Sequence, residues 1–152
     1  MRGVAVCLHG YQRNTVDLDL LVRHEDQQRV RDALTAGGLT WSTEAHEDRT
    51  DSGVGVQLLL SGDRAGPGES VALPDPTASD AIVDRQGLPV VALARLIEIK
   101  IACGSGNLRR THKDFADVVE LIAANQLDQS FAQFLDKSVR RTFRELVGRA
   151  QA

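Results

Sequence analysis

The stretch Arg13-Asn14-Thr15-Val16-Asp17-Leu18-Asp19-Leu20-Leu21-Val22 constrains the fold of this chain more than any other. A polar, turn-forming segment runs into a stretch that carries a carboxylate at every second position at its start, the pattern of a half-buried strand. Strand side chains alternate between faces. Val16, Leu18, Leu20 and Val22 are therefore expected on one face as core, and Asp17 and Asp19 together on the other. Two strand rises separate the two Asp Cα atoms by roughly 6.5–7 Å. From there both carboxylates can reach one Mg²⁺ at oxygen distances of about 2.0–2.1 Å. A solvated face on an amphipathic strand is the alternative. Asp is depleted in strands, however, so two in succession need a reason.

The other elements follow from periodicity and punctuation. Val4 to Leu8 is apolar but too short to tell strand from helix, and Gly10 ends it. Residues 25–36 read as a helix with Val30, Ala33 and Leu34 at helical spacing, stopped by Gly37-Gly38. Leu39 to Thr43 and Val54 to Leu60 read as strands, with His46 to Gly53 as a polar hairpin connection and Gly66 to Pro76 as loop. From Leu88 onward the pattern is helical. Leu93, Leu96, Ile97 and Ile101 share a stripe with Lys100, whose ammonium needs a partner or a route to water. Gly104-Ser105-Gly106-Asn107 should break that helix. Thr111 should cap the next, whose core face is Phe115, Val118, Val119 and Ile122. A last helical region covers roughly 129–149. Strands first and helices last predict an α+β domain, with helices packed on a small mixed sheet.

With 152 residues, the chain is expected to form one domain. A net charge of −3 argues against a general polyanion binder, and 4% aromatics leave few platforms for base stacking. Cys7 and Cys103 have no metal-ligand spacing and are expected as reduced thiols of a cytoplasmic protein. No apolar run approaches the ~18 residues of a membrane span. The N-terminal apolar stretch ends too soon, at His9-Gly10, for a signal peptide.

Four segments, in this order, carry a resemblance. They are His9-Gly10 followed by Arg13-x-Thr15-x-Asp17-x-Asp19; Val56-Gln57-Leu58-Leu59; Leu96-Ile97-x-x-Lys100; and Arg109-Arg110-x-x-Lys113-Asp114-x-x-Asp117-Val118. Together they resemble the nucleotidyltransferase superfamily, most of all its abortive-infection toxin-like and minimal members. The resemblance covers nearly the whole chain. It implies a single nucleotidyltransferase-like domain over 1–152 that transfers NMP from an NTP to a protein or RNA acceptor such as tRNA. Toxin–antitoxin or phage-defence systems are the implied setting, with a cognate antitoxin or a second copy as partner and no membrane. Asp17 and Asp19 would be the catalytic ligands of Mg²⁺ or Mn²⁺. Gly3, Arg13, Thr15, Lys100, Lys113 and Asp114 would bind substrate.

Each of those residues also has a plainer role. Arg13 either contacts phosphate or holds its turn. Thr15 either donates to phosphate or bonds the backbone locally. Lys100 either binds nucleotide or snorkels. Asp114 completes a capping box with Thr111. Arg109, Arg110, His112 and Lys113 crowd a helix start, either to bind phosphate or as a solvated cap. Two departures from the family stand out. Only Gly3 remains of its first glycine turn, so the resemblance implies a misassigned start or a truncation that leaves out the family's first helix and strand, and 3–8 then reads as the helix after that turn. The family's third carboxylate falls at Gln57, a neutral amide. This favours a second reading: a degenerate, non-enzymatic member that binds a partner protein.

Overall fold

The computed structural model describes residues 2–152. Its elements run α1 (Arg2–Leu8), β1 (Asp17–Val22), α2 (Gln27–Ala36), β2 (Thr40–Ser42), β3 (Glu47–Arg49), β4 (Gly55–Leu60), β5 (Ile82–Arg85), β6 (Leu88–Val91), α3 (Leu93–Gly106), α4 (Leu108–Ala124) and α5 (Arg140–Ala150). Short 3-10 turns occupy His24–Asp26, Gln129–Phe134 and Lys137–Val139. The architecture is α+β. A four-stranded mixed sheet has the order β1-β4-β3-β2, β5 and β6 form a separate hairpin, and the C-terminal half is helical.

The alternation at 17–22 does form a strand, which pairs in parallel with β4. The register sets Asp17 opposite Gly55, Asp19 opposite Gln57 and Leu21 opposite Leu59. Residues opposite one another share a face. Leu21 and Leu59 pack, partly buried, on the main apolar cluster, so the carboxylate-bearing face is the one turned toward the core. This reverses the expectation for Val16, Leu18, Leu20 and Val22. Val16 is 75% exposed, the other three are half-buried, and none belongs to the main cluster. Val56 on that same outer face is buried, but apart from the cluster. The cause is the size of the helical layer, which supplies most of the core and covers the inner face. Outside, Leu20 and Val22 share a cavity with Val30 of α2.

That core centres on Leu96, Ile97 and Ile101 of α3, Val118, Leu121 and Ile122 of α4, and Phe143, Leu146 and Val147 of α5. Val90 and Val91 of β6, with Ala5 and Val6 of α1, close one side. Full burial of each large aliphatic side chain contributes about 1.5–3 kcal/mol. The Phe131 ring packs in tilted contact with Phe143 at 5.8 Å and with Phe134 at 5.5 Å, the latter 58% exposed.

Several boundaries differ from the sequence reading. The supposed connection at 46–53 contains β3. Residues 88–91 form a strand, so α3 begins only at Leu93 and then runs through Gly104 and Gly106. The cap of α4 is Asn107, whose side chain accepts from the Arg109 N–H at 3.0 Å. Thr111 lies inside the first turn, and its hydroxyl donates to the Gly104 carbonyl at 2.7 Å. The region at 129–149 divides into two 3-10 turns and α5.

Candidate functional site

The inner sheet face ends in a polar cavity of about 200 Å³ at the start of β1. Asp17, Asp19 and Gln57 form its sheet side. The period of two and the parallel register put all three on one face, as expected for Gln57. Asp17 is exposed and Asp19 half-buried. Gly3 and Thr15 line the cavity beside them. A Cβ on Gly3 would stand 2.5 Å from Thr15 Oγ1, so glycine is what lets α1 approach the turn before β1. Thr15 takes the local role, its hydroxyl donating to the Asp17 carbonyl at 3.2 Å.

The helix side of the cavity is cationic: Lys100 from α3, Arg110 and Lys113 from α4, and Arg13 from the turn. Lys100 sits on the apolar stripe of α3 and is 1% exposed, which rules out snorkelling. Its ammonium donates to Asp114 Oδ1 at 2.8 Å and Asp117 Oδ2 at 2.6 Å. Asp114 and Asp117 are both buried, one turn apart on α4. Arg110 Nε donates to the other Asp114 oxygen at 3.1 Å. Arg13 Nε lies 3.2 Å from Asp117 Oδ1. That nitrogen has no well-aligned acceptor, so the Arg13–Asp117 contact is ionic rather than a hydrogen bond.

Asp114 is therefore no capping-box residue; Asn107 already caps the helix, and Asp114 faces Lys100. Burial alone would push its carboxyl up, but Lys100, by charge and hydrogen bond, and Arg110 together hold it below the usual carboxylate value. Asp114 and Asp117 stand behind the cavity rather than lining it.

Every residue singled out for metal or substrate is thus brought to one place, with Asp114 one layer back. Arg109 and His112 are exposed and do not line the cavity. His9 is buried, with Nε2 2.8 Å from the Val91 carbonyl, and burial lowers its pKa. Sequence reasoning missed Glu47. By the register of β3 and β4 it shares the Asp17 face, where its carboxyl packs over the bare Cα of Gly55 and pairs with Arg49 at 2.9 Å. Alternation could have flagged Glu47 only if β3 had been recognised as a strand.

Among the described residues, no group of three or more His, Cys, Asp or Glu side chains is placed to hold a metal ion. The donors on the sheet side are two carboxylates and the neutral Gln57 amide. This set does not make an all-protein cage. It does fit a hard divalent cation that keeps water and shares phosphate oxygens, the usual mode for Mg²⁺. Counting Asp114 and Asp117, four carboxylates balance four cations, so the site has no net charge but a separated one. The lining carboxylates lie on the sheet and the cations on the turn and helices.

Cys7 and Cys103 are in no disulfide, and the Cys103 thiol donates to the Ala65 carbonyl at 2.8 Å. No described helix is long and apolar enough to cross a membrane. Comparison with protein-family models gives no match, and comparison with curated proteins gives none either.

Proposed function

We propose that this cavity binds the phosphates of a nucleoside triphosphate with Mg²⁺ or Mn²⁺ and transfers NMP to a hydroxyl of a protein or RNA. The observation that carries the reading is the charge separation across the cleft. A metal–phosphate ligand is itself dipolar, and it matches carboxylates on one wall and cations on the other. Asp17 and Asp19 would hold the cation, which when bound neutralises phosphate oxygens and lowers the pKa of the attacking hydroxyl. Lys113 and Arg110 would orient the phosphates, with Arg13 beside them. The acceptor oxygen bonds to the α-phosphorus as the bond to the bridging oxygen breaks and pyrophosphate leaves. Asp17, the more exposed carboxylate, would take the hydroxyl proton. Lys100 is a positioning residue that ties α3 to α4 through Asp114 and Asp117. A role in toxin–antitoxin or phage defence belongs to the same proposal and rests on the family resemblance.

The test is incubation with each labelled NTP, Mg²⁺ or Mn²⁺, and candidate tRNA and protein acceptors. Transfer should appear with the native chain and vanish in Asp17→Ala and Asp19→Ala. Transfer that survives both substitutions would place the chemistry elsewhere.

Gln57 favours a second reading. An amide beside Asp19 is a weak metal ligand and cannot act as a base. A non-enzymatic module that binds a partner protein, such as an antitoxin or a second copy, would need neither property. Robust NTP turnover by a strict monomer would exclude this reading.

A further inference from the structure

Position 55 is a gap in the inner face of the sheet. The registers of β1 with β4 and of β4 with β3 set Asp17, Gly55 and Arg49 in one row across three strands. Glycine weakens a strand and often marks a place where another group comes close. Here that group is the Glu47 carboxyl: a Cβ on Gly55 would stand 2.6 Å from its Cδ and from both of its oxygens. Glu47 thus reaches over β4 and fills the place of the missing side chain, next in the row to Asp17. Neighbouring strands lie about 4.7–4.9 Å apart, so the carboxyl stands roughly one strand spacing from the base of the Asp17 side chain. Glu47 is 7% exposed, whereas the Arg49 side chain is 48% exposed. Both Arg49 contacts, at 2.9 Å, fall on Oε1, which leaves Oε2 outside the pair. An ion pair with a half-exposed partner repays little of what burying a carboxylate costs, so the pair alone does not account for its placement.

We infer that Glu47 is a positioning residue for the divalent cation of this site, an assignment that rests on the nucleotidyl-transfer reading. It does not occupy the position of the family's third carboxylate, which falls at Gln57. It comes instead from a different strand, through the gap at Gly55. Glu47 does not line the polar cavity, and among the described residues it completes no three-ligand group, so it acts from outside the coordination of the ion. Mg²⁺ keeps several of its waters, and groups behind the ligands that bond to the inner layer strengthen binding. Glu47 Oε2 would accept from a water of the ion that Asp17 and Asp19 hold. Its charge adds a third negative member to the sheet wall, beyond the two that line the cavity. Arg49, bonded to the other oxygen, keeps the carboxyl in place.

The experiment is a titration with Mn²⁺, read by the electron paramagnetic resonance signal of the free ion. It compares the native chain with Glu47→Gln, Gly55→Ala, the double variant and Arg49→Met, and thermal melts verify each fold. Glu47→Gln removes the charge at nearly constant shape and should weaken Mn²⁺ binding about tenfold. Gly55→Ala keeps the charge but puts a Cβ where the carboxyl lies, so affinity should fall in the same direction. The double variant should bind no more weakly than Glu47→Gln alone, because both changes remove one interaction. Arg49→Met breaks the same ion pair, yet Mn²⁺ affinity should not fall. Equal affinity in the native chain and Glu47→Gln, additive losses in the double variant, or a loss in Arg49→Met as large as in Glu47→Gln overturns the role given to Glu47. If Asp17→Ala still abolishes Mn²⁺ binding in that case, the nucleotidyl-transfer reading stands. A native chain that binds no Mn²⁺, with or without ATP, overturns both.

Discussion

The two walls of the cleft hold their charged groups under opposite conditions. On the helix side, buried Lys100 donates to both buried Asp114 and Asp117, with Arg110 and Arg13 at the ends of the chain of contacts. On the sheet side, Asp17 is exposed and Asp19 half-buried, next to a neutral Gln57. A buried charge that loses its partner is strongly destabilising, whereas an exposed one is solvated either way. The difference teaches how the labour divides. The helix side is a fixed electrostatic frame that the fold itself requires. The sheet side presents Asp17 to solvent, where a ligand can reach its charge.

Removing Lys100 should break that contrast most visibly. Lys100→Met leaves two carboxylates buried without their shared cation, and the fold should lose roughly 3–5 kcal/mol, read as a lowered denaturation midpoint. Asp17→Asn should shift stability by no more than about 0.5 kcal/mol, as for other exposed positions. Equal losses in the two variants would show that the sheet side is as structural as the helix side.

Gln57 sharpens the comparison from the other wall. With two carboxylates, Mg²⁺ should bind weakly unless phosphate shares it. Gln57→Glu adds a third carboxylate on the same face, and Mg²⁺ affinity measured by titration should rise. Unchanged affinity in a folded variant would mean that position 57 does not reach the ion held by Asp17 and Asp19.

The smallest expected effect is on pH dependence, and it separates the frame from the rest of the core. The Asp114 carboxyl is depressed below its ordinary 3.8. Its contribution is complete above 3.8 and is lost as pH falls from there through its lower folded value. His9 is depressed below 6.5 by burial, with Arg85 adding to the effect and its bond to Val91 opposing it. The unfolded chain therefore takes up that proton first, and stability should decline as pH falls below 6.5. His9→Gln should flatten the upper window and Asp114→Asn the lower one in melts recorded against pH. A profile in which either substitution leaves its window intact would assign that slope to another group.

How much of this was legible in the chain varies with the kind of signal. β1, α3 and α4 announce themselves because their apolar spacing is strong and local. β3 does not, since Glu47-Asp48-Arg49 has no apolar member and Asp is a poor strand residue. It exists because β4 offers a partner and Gly55 leaves room for the Glu47 carboxyl. The β5–β6 hairpin is hidden for a different reason. Its turn, Gln86-Gly87, takes positive φ at both residues (56° and 79°), a geometry usually signalled by Asn-Gly or Asp-Gly. Asp17, Asp19 and Lys100 could be singled out because each is odd in its local pattern. The role of Asp117 could not, because its partners Lys100 and Arg13 come from another helix and a distant turn. The cap of α4 went astray because Thr111 satisfies the composition of a capping box while its hydroxyl bonds Gly104 instead.

The buried cluster also bears on the order in which contacts become affordable during folding. Lys100 meets Asp114 and Asp117 across 14 and 17 residues. The loop-closure cost of a contact grows with the logarithm of its span, and local contacts are the quickest to form. The α3–α4 hairpin can thus neutralise its own charges while the rest of the chain is still free. Arg13 reaches Asp117 only by closing a loop that takes in the entire sheet. The cavity accordingly joins a local half to a non-local one, and Arg13 is the residue at the seam.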